Sequence, residues 1–229
     1  VDLDDPLKPR LLASVPLAGA RASALQFRYL YVTAVDGLHV VDVTDAAKPL
    51  LLPAQIALDD ARRVYLARTY AYVAAGKDGL VIVDIERADA PREYLRFTAD
   101  GTLNDASDVV VGSTNASLFA YVADGVNGLK VIQLTAPDTQ PRFYGFSPEP
   151  KPQLIAWHKT RSAALALSKG LDRDRAVDET GGQIAVFGRI GSRPFNAEET
   201  AKMYRNPDGS VWTVTNKGAP GDYLPQTEK

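Results

Sequence analysis

The chain has 229 residues, 45% apolar and 24% charged, and its 26 basic and 28 acidic side chains leave a net charge of −2. That length suits one large all-β domain without requiring two, and the near-neutral balance lacks the clearly basic face that nucleic acid needs. Cysteine is absent, which removes disulfides, thiolate metal sites, a cysteine nucleophile and C-x-x-C-H haem attachment within this chain. No apolar run approaches the roughly 18–20 residues of a membrane span.

From its first residue the chain is repetitive. It opens on Val1-Asp2-Leu3 with Pro9, the back half of a motif that then returns whole. The full copies are Gly37-Leu-His-Val-Val-Asp-Val43 running to Pro49, Gly79-Leu-Val-Ile-Val-Asp-Ile85 running to Pro91, and Gly128-Leu-Lys-Val-Ile-Gln-Leu134 running to Pro141. The equivalent residues Val1, Val41, Val83 and Ile132 recur at spacings of 40, 42 and 49 residues. Self-similarity at such a period marks a repeat architecture.

Each copy predicts four strands. The first are Ala24–Phe27, Arg63–Ala67 and Asp108–Val111, and the second are the aromatic-rich Tyr29–Thr33, Tyr70–Ala74 and Leu118–Ala123. Tyr31, Tyr72 and Tyr121 are equivalent and each precedes a valine. Turns of Gly, Asp and Asn follow, at Val35–Gly37, Gly76–Gly79 and Gly125–Gly128, where a hairpin needs residues that tolerate positive φ. The third strands, Leu38–Val43, Leu80–Ile85 and Leu129–Leu134, are almost continuously aliphatic, as expected of strands covered on both faces. Fourth strands are expected at Leu50–Leu52, Glu93–Phe97 and Arg142–Tyr144, each after its proline.

Four short strands per roughly 40–45 residues predict an all-β fold, a β-propeller of four-stranded antiparallel blades. In such a blade the first strand lines the channel and the fourth lies at the rim. The boundaries fall at 1–16 for a partial blade, at 17–55, 56–100 and 101–150 for whole ones, and at 151–195 for a divergent blade. In that last blade Gln153–Trp157, Ala163–Leu167 and Gln183–Phe187 supply strands. A tail over 196–229 is expected to hold a short helix near Glu198–Arg205, a turn at Asn206–Gly209 and a strand at Val211–Thr215. The count is about four to five blades, and because closure removes open sheet edges, upstream sequence or a partner chain is expected to complete the ring.

The strings Gly79-Leu-Val-Ile-Val-Asp84, Gly37-Leu-His-Val-Val-Asp42 and Gly128-Leu-Lys-Val-Ile132 resemble those of LVIVD-repeat proteins. The resemblance spans residues 1–145 and, more thinly, 150–190. It implies a bacterial or archaeal propeller, periplasmic or displayed at the cell surface, with occasional association with multihaem cytochromes. Its motif residues are core and turn positions, so no catalytic residue carries over. The third copy departs from the pattern at Gln133 and in its longer lead-in, Thr98–Ser117.

Candidate chemistry is sparse. Asp172, Asp174, Asp178 and Glu179 are oxygen donors that suit Ca2+, although Arg173 and Arg175 oppose a cation and the EF-hand spacing is missing. The alternatives there are a salt-bridged loop and a partner-docking loop. Asp2, Asp42 and Asp84 recur at one strand position, where capping a neighbouring turn is the reading, since symmetry-related carboxylates on different blades do not converge. His39 lies on a third strand. His158 ends a strand expected to line the channel beside Trp157 and is the candidate functional histidine. Asn115-Ala-Ser117 fits a glycosylation sequon.

With no assigned catalytic residue or cofactor, the expected function is a scaffold or protein–protein interaction module whose partners are other protein subunits. One alternative is an accessory subunit of an extracytoplasmic multihaem electron-transfer complex. Another is a propeller hydrolase or oxidoreductase with its site at the channel mouth.

Overall fold

The computed structural model describes residues 1–2, 7–114, 117–137, 140, 145–168, 189–190, 193–194 and 196–210. The chain divides into two compact units, Val1–Lys169 and Gly170–Lys229.

The first unit holds three four-stranded antiparallel sheets, each in the chain order one-two-three-four. Blade 1 is β1 (Ala22–Gln26), β2 (Tyr29–Ala34), β3 (Gly37–Asp42) and β4 (Leu50–Ala57). Blade 2 is β5 (Arg63–Ala67), β6 (Tyr70–Ala74), β7 (Leu80–Asp84) and β8 (Arg92–Phe97). Blade 3 is β9 (Asp108–Thr114), β10 (Ser117–Ala123), β11 (Leu129–Thr135) and β12 (Gln153–His158). The three repeats therefore form propeller blades, as their spacing predicts. First strands of successive blades are neighbours: Gln26 Nε2 at the end of β1 donates to the Arg68 carbonyl at 2.8 Å, just past β5.

Two apolar clusters join the blades, and the side-chain period of two explains both. Tyr31, Leu38, Val40 and Ile56 of blade 1 pack against Val64, Ala71, Val73, Val81 and Val83 of blade 2. The alternate residues of blade 2, Tyr70, Tyr72, Ala74, Leu80 and Ile82, pack against Val109, Val111, Leu118, Ala120, Val122, Ile132 and Leu134 of blade 3. Both faces of blade 2 are thus covered, which is why its third strand tolerates an unbroken Leu-Val-Ile-Val. On the outer flank of blade 1, Ala13, Val15 and Leu17 of the N-terminal segment line a cavity of about 370 Å³ with Leu30, Val32, Val41 and Val43.

The turn glycines have a steric reason. Gly37, Gly79 and Gly128 adopt φ of +140°, +70° and +88°, and a Cβ at each would lie 2.0, 2.5 and 2.2 Å from the carbonyl oxygen of Ile56, Phe97 and His158 respectively. In every blade the third strand therefore starts where only glycine lets the outer strand close against it. The recurrent aspartates are caps. Asp42 Oδ1 accepts from the Thr44 amide at 2.8 Å, and Asp84 Oδ1 accepts from the Glu86 amide at 2.9 Å. Asp2 pairs with Arg10 as Asp84 pairs with Arg92, and an isolated antiparallel bridge joins Asp2 to Arg10. That bridge is what the described residues show of the expected opening half-blade.

The last blade differs from expectation. Arg142–Tyr144, expected as the outer strand of blade 3, and Gln183–Phe187 lie outside the described residues. Gln153–His158, expected to open a further blade at the channel, instead pairs antiparallel with β11 and closes blade 3 at its outer edge. Ala163–Leu167 is not a second strand. Gly125 and Ala164 exchange backbone hydrogen bonds of 3.0 and 2.8 Å, as Gly76 and Ala106 do one blade earlier. The Leu167 amide then donates to Asp108 Oδ2 at 2.8 Å, so the chain after blade 3 retraces the path that led into β9.

In the second unit β13 (Arg189–Ile190) pairs with β14 (Arg193–Pro194), and α1 spans Ala197–Tyr204. A reciprocal capping box starts α1: Asn196 Oδ1 accepts from the Glu199 amide and Glu199 Oε2 accepts from the Asn196 amide, both at 2.9 Å. The turn at Asn206–Gly209 follows, as expected, and the strand expected at 211–215 lies outside the described residues.

Gly101 also has positive φ, +84°, but open space around its Cβ position. Gly101→Ala should therefore cost only backbone strain of about 1 kcal/mol, whereas Gly79→Ala adds a backbone collision and should cost about 3 kcal/mol or more in chemical denaturation.

Candidate functional site

Two polar constructions break the apolar repeat. The first is an ionic ladder where the chain enters the first strands. Arg21 pairs with Asp60, Asp60 Oδ2 accepts from Arg62 Nε at 2.7 Å, and Arg62 Nη1 reaches Asp105 Oδ1 at 2.8 Å and Ser107 Oγ at 2.9 Å. It stitches all three blades. Burial alone would raise the Asp60 carboxyl, but the Arg21 and Arg62 guanidiniums outweigh it and hold the group below its usual range.

The second lies at the turn end of blade 3. Lys130 of β11 stands opposite Trp157 of β12, where blade 2 has Val81 opposite Arg96. In blade 2 that corner is a surface ion pair, with Arg96 bonded to Asp78 at 2.7 Å and to Glu93 at 2.9 and 2.8 Å. In blade 3 the equivalent of Asp78 is Asn127, and Asp124 replaces Ala75. The Lys130 side chain is only 6% exposed, with its Nζ 3.9 Å from Asp124 Oδ2 and 5.5 Å from the Trp157 ring centroid. A cation over an indole face is an attractive contact, strengthened by desolvation.

Asp124 is fully buried. Its Oδ1 accepts from the backbone amides of Asn104 at 3.2 Å and Asp105 at 2.7 Å, while its Oδ2 has no hydrogen-bond partner among the described residues. Burial pushes its carboxyl up, against the pull of the Asp105 amide and of Lys130. Outside this buried pair is a hollow of about 460 Å³ lined by Thr102, Asn104, Asn127, Lys130, Trp157 and Lys159. Asn127 Nδ2 donates to Asn104 Oδ1 at 2.9 Å, and Asn104 Nδ2 to the Gly101 carbonyl at 2.8 Å, so both amides are fixed. The Trp157 side of the hollow is open, with that residue 64% exposed.

Against known proteins, the sequence matches the LVIVD repeat at residues 24–53, 59–96 and 105–137. The chain carries three LVIVD repeats. The matched segments fall on blades 1 and 2 and on β9–β11 of blade 3, with β12 beyond the third match. No curated protein matches the sequence. Among solved structures, a computationally designed protein, Ika4, shares 14% identity at a TM-score of 0.43, over 68% of this chain and 84% of that one. A protein of Bacteroides uniformis ATCC 8492, provisionally described as a 6-phosphogluconolactonase, shares 13% identity at a TM-score of 0.42, over 61% of this chain and 42% of that one. Neither likeness bears on function.

The candidate residues of the sequence fall differently on this LVIVD-repeat scaffold. Asp172, Asp174, Asp178 and Glu179 lie outside the described residues, as does Asn115 of the sequon. His158 ends the exposed outer strand of blade 3 rather than a channel strand. His39 is 7% exposed and its Nε2 shares a hydrogen bond with Asp36 Oδ1 at 2.8 Å, a tie to its own turn. Lys130, Asp124 and Asn104 were not singled out by residue type. The signal available was positional: aligning the repeats puts Asp124 on Ala75 and Lys130 on Val81, charges at positions that blade 2 fills with buried apolar groups.

Removing Arg62 leaves Asp105 without this guanidinium and Asp60 with Arg21 alone, so Arg62→Met should cost about 1–2 kcal/mol at neutral pH. Because Asp60 titrates lower folded than unfolded, its contribution is whole above the ordinary carboxylate range and is lost as pH falls through the folded value. The gap between wild type and Arg62→Met in urea melts should narrow as pH drops below about 4.

Proposed function

We propose that this chain is a scaffold or interaction module, acting outside the cytoplasm, that binds another protein through the open flank of its third blade. One observation carries the reading. Tyr31 and Tyr72, at equivalent sites in blades 1 and 2, are 1% and 0% exposed between blades, but Tyr121 at the same site of blade 3 is 37% exposed. Its ring stands on a face that the repeat builds to be covered.

The neighbouring chemistry supports it. Ile155, displaced outward at the β-bulge of the outer strand, is 48% exposed, and Val131 on the same sheet is half-buried. Tyrosine with aliphatic neighbours is the composition of an interface core, since aromatic anchors dominate binding energy there. The extracytoplasmic setting follows the family resemblance, and fractionation of source cells tests it separately.

A photo-crosslinking residue placed at Tyr121 or at Ile155 of the full-length gene product, in its source cells, tests the binding reading. Both positions should capture the same partner protein, while Lys77 on blade 2, with a side chain 70% exposed, should capture none above background. Cross-links running instead to residues after 169 of the same chain, or equal capture from Lys77, would overturn it.

A further inference from the structure

The hollow on blade 3 has a charge pattern that the scaffold does not require. At the same corner blade 2 closes its surface with an arginine bonded to two carboxylates. Blade 3 withdraws a lysine beneath an indole, backs it with a buried aspartate and puts amides where blade 2 has acids. A buried ion pair is a costly way to fill a sheet corner that Val81 fills in blade 2 and His39, bonded to Asp36, fills in blade 1, because desolvating two charges offsets most of their attraction. Here the pair is also imperfect: Nζ to Oδ2 is 3.9 Å, and that oxygen has no hydrogen bond among the described residues.

The donors around the hollow define what would fit. Lys159 presents an exposed ammonium group, Lys130 lines the hollow from beneath the indole, and the one carboxylate behind them lies wholly inside the protein, so the surface offered to a ligand is cationic. Thr102, Asn104 and Asn127 add a hydroxyl and two amides, groups that both donate and accept. The exposed part of Trp157, with Leu154 and Val126, supplies a flat apolar platform. At about 460 Å³ the space suits a small molecule or one or two rings of a chain.

An anion with a flat apolar face and several hydroxyls satisfies every one of these groups. Asn104, Asn127 and Thr102 are held by bonds to one another and to the Gly101 and Ala99 carbonyls. A simple aromatic carboxylate would use none of their remaining hydrogen-bonding capacity, whereas sugar hydroxyls would. We propose that the hollow between Trp157 and Lys159 binds a uronic-acid residue of an acidic polysaccharide, its carboxylate on the lysine ammonium groups and its ring on the indole. This site is built from residues other than Tyr121, so it stands or falls apart from the protein-binding flank.

The test is isothermal titration of the 229-residue chain with trigalacturonate, with the uncharged galactose trisaccharide and with benzoate. Trigalacturonate should bind one to one, and the neutral sugar and benzoate should each bind at least about tenfold more weakly. Lys159→Gln, at an exposed side chain, should weaken trigalacturonate by about tenfold while leaving the melting temperature unchanged. Trp157→Ala, which also uncovers Lys130, should weaken it by about tenfold with a small drop in melting temperature. Absence of trigalacturonate binding at millimolar concentration overturns the proposal, as does binding that survives both substitutions. Benzoate binding as tightly as the uronate overturns the assignment to a sugar.

Discussion

Blade 2 has no solvent side. Tyr70, Tyr72 and Ala74 belong to the cluster shared with blade 3, while Ala71 and Val73 belong to the cluster shared with blade 1. At about 25 cal/mol per Å² of apolar area buried, this double coverage is the main stabilising term available to sheets only four strands wide. The rest of the first unit answers to it. The third strand is continuously aliphatic because neither face is wet. The turn into it carries glycine because the outer strand's carbonyl sits where a Cβ would go. The turns clasp the chain that follows, Gly76 bridging to Ala106 on the way into blade 3 and Gly125 bridging to Ala164 after it.

The same constraint makes the two end blades unequal to the middle one. The free side of blade 1 meets Ala13, Val15 and Leu17 from the N-terminal segment, an alternation that reads as a strap on a sheet face. On the free side of blade 3, Tyr121 is partly open to solvent, although Tyr72 at the same site is sealed. The proposed binding flank and the unevenness in packing therefore both fall on blade 3. Its flank keeps an apolar face, and its turn end exchanges a surface ion pair for a lysine, an indole and a buried aspartate. The ionic ladder from Arg21 to Asp105 runs against the turn glycines Gly76 and Gly125 and ties the entries of the three blades together.

Most of blades 1 and 2 was legible because alternation, tyrosine-valine pairs and turn glycines all pointed the same way; β5 and β6 fall on the expected residues. The aspartate caps were legible too, since a side chain two residues before a free amide has a local partner whatever the tertiary fold. The outer strand of blade 3 was not. Gln153-Leu-Ile-Ala-Trp-His158 reads as a strand, but alternation says nothing about which neighbour pairs with it, and the proline at 141 suggested an earlier one. That single reassignment moved His158 and Trp157 from an imagined channel to an outer edge. The hollow was illegible for a related reason: Lys130, Asp124 and Trp157 are ordinary residues until register brings a third strand and a fourth together.

Native-state hydrogen exchange, followed strand by strand, measures this account most directly, because protection reports how completely each sheet is covered. Amides of β6 and β7 should exchange slowest, near the global unfolding rate, with β4 and β12 exchanging markedly faster and β10 slower than β12. Protection in β12 equal to that in β7, or fast exchange across β6 and β7, would contradict the claim that blade 2 is held on both faces while blade 3 is left open for a partner.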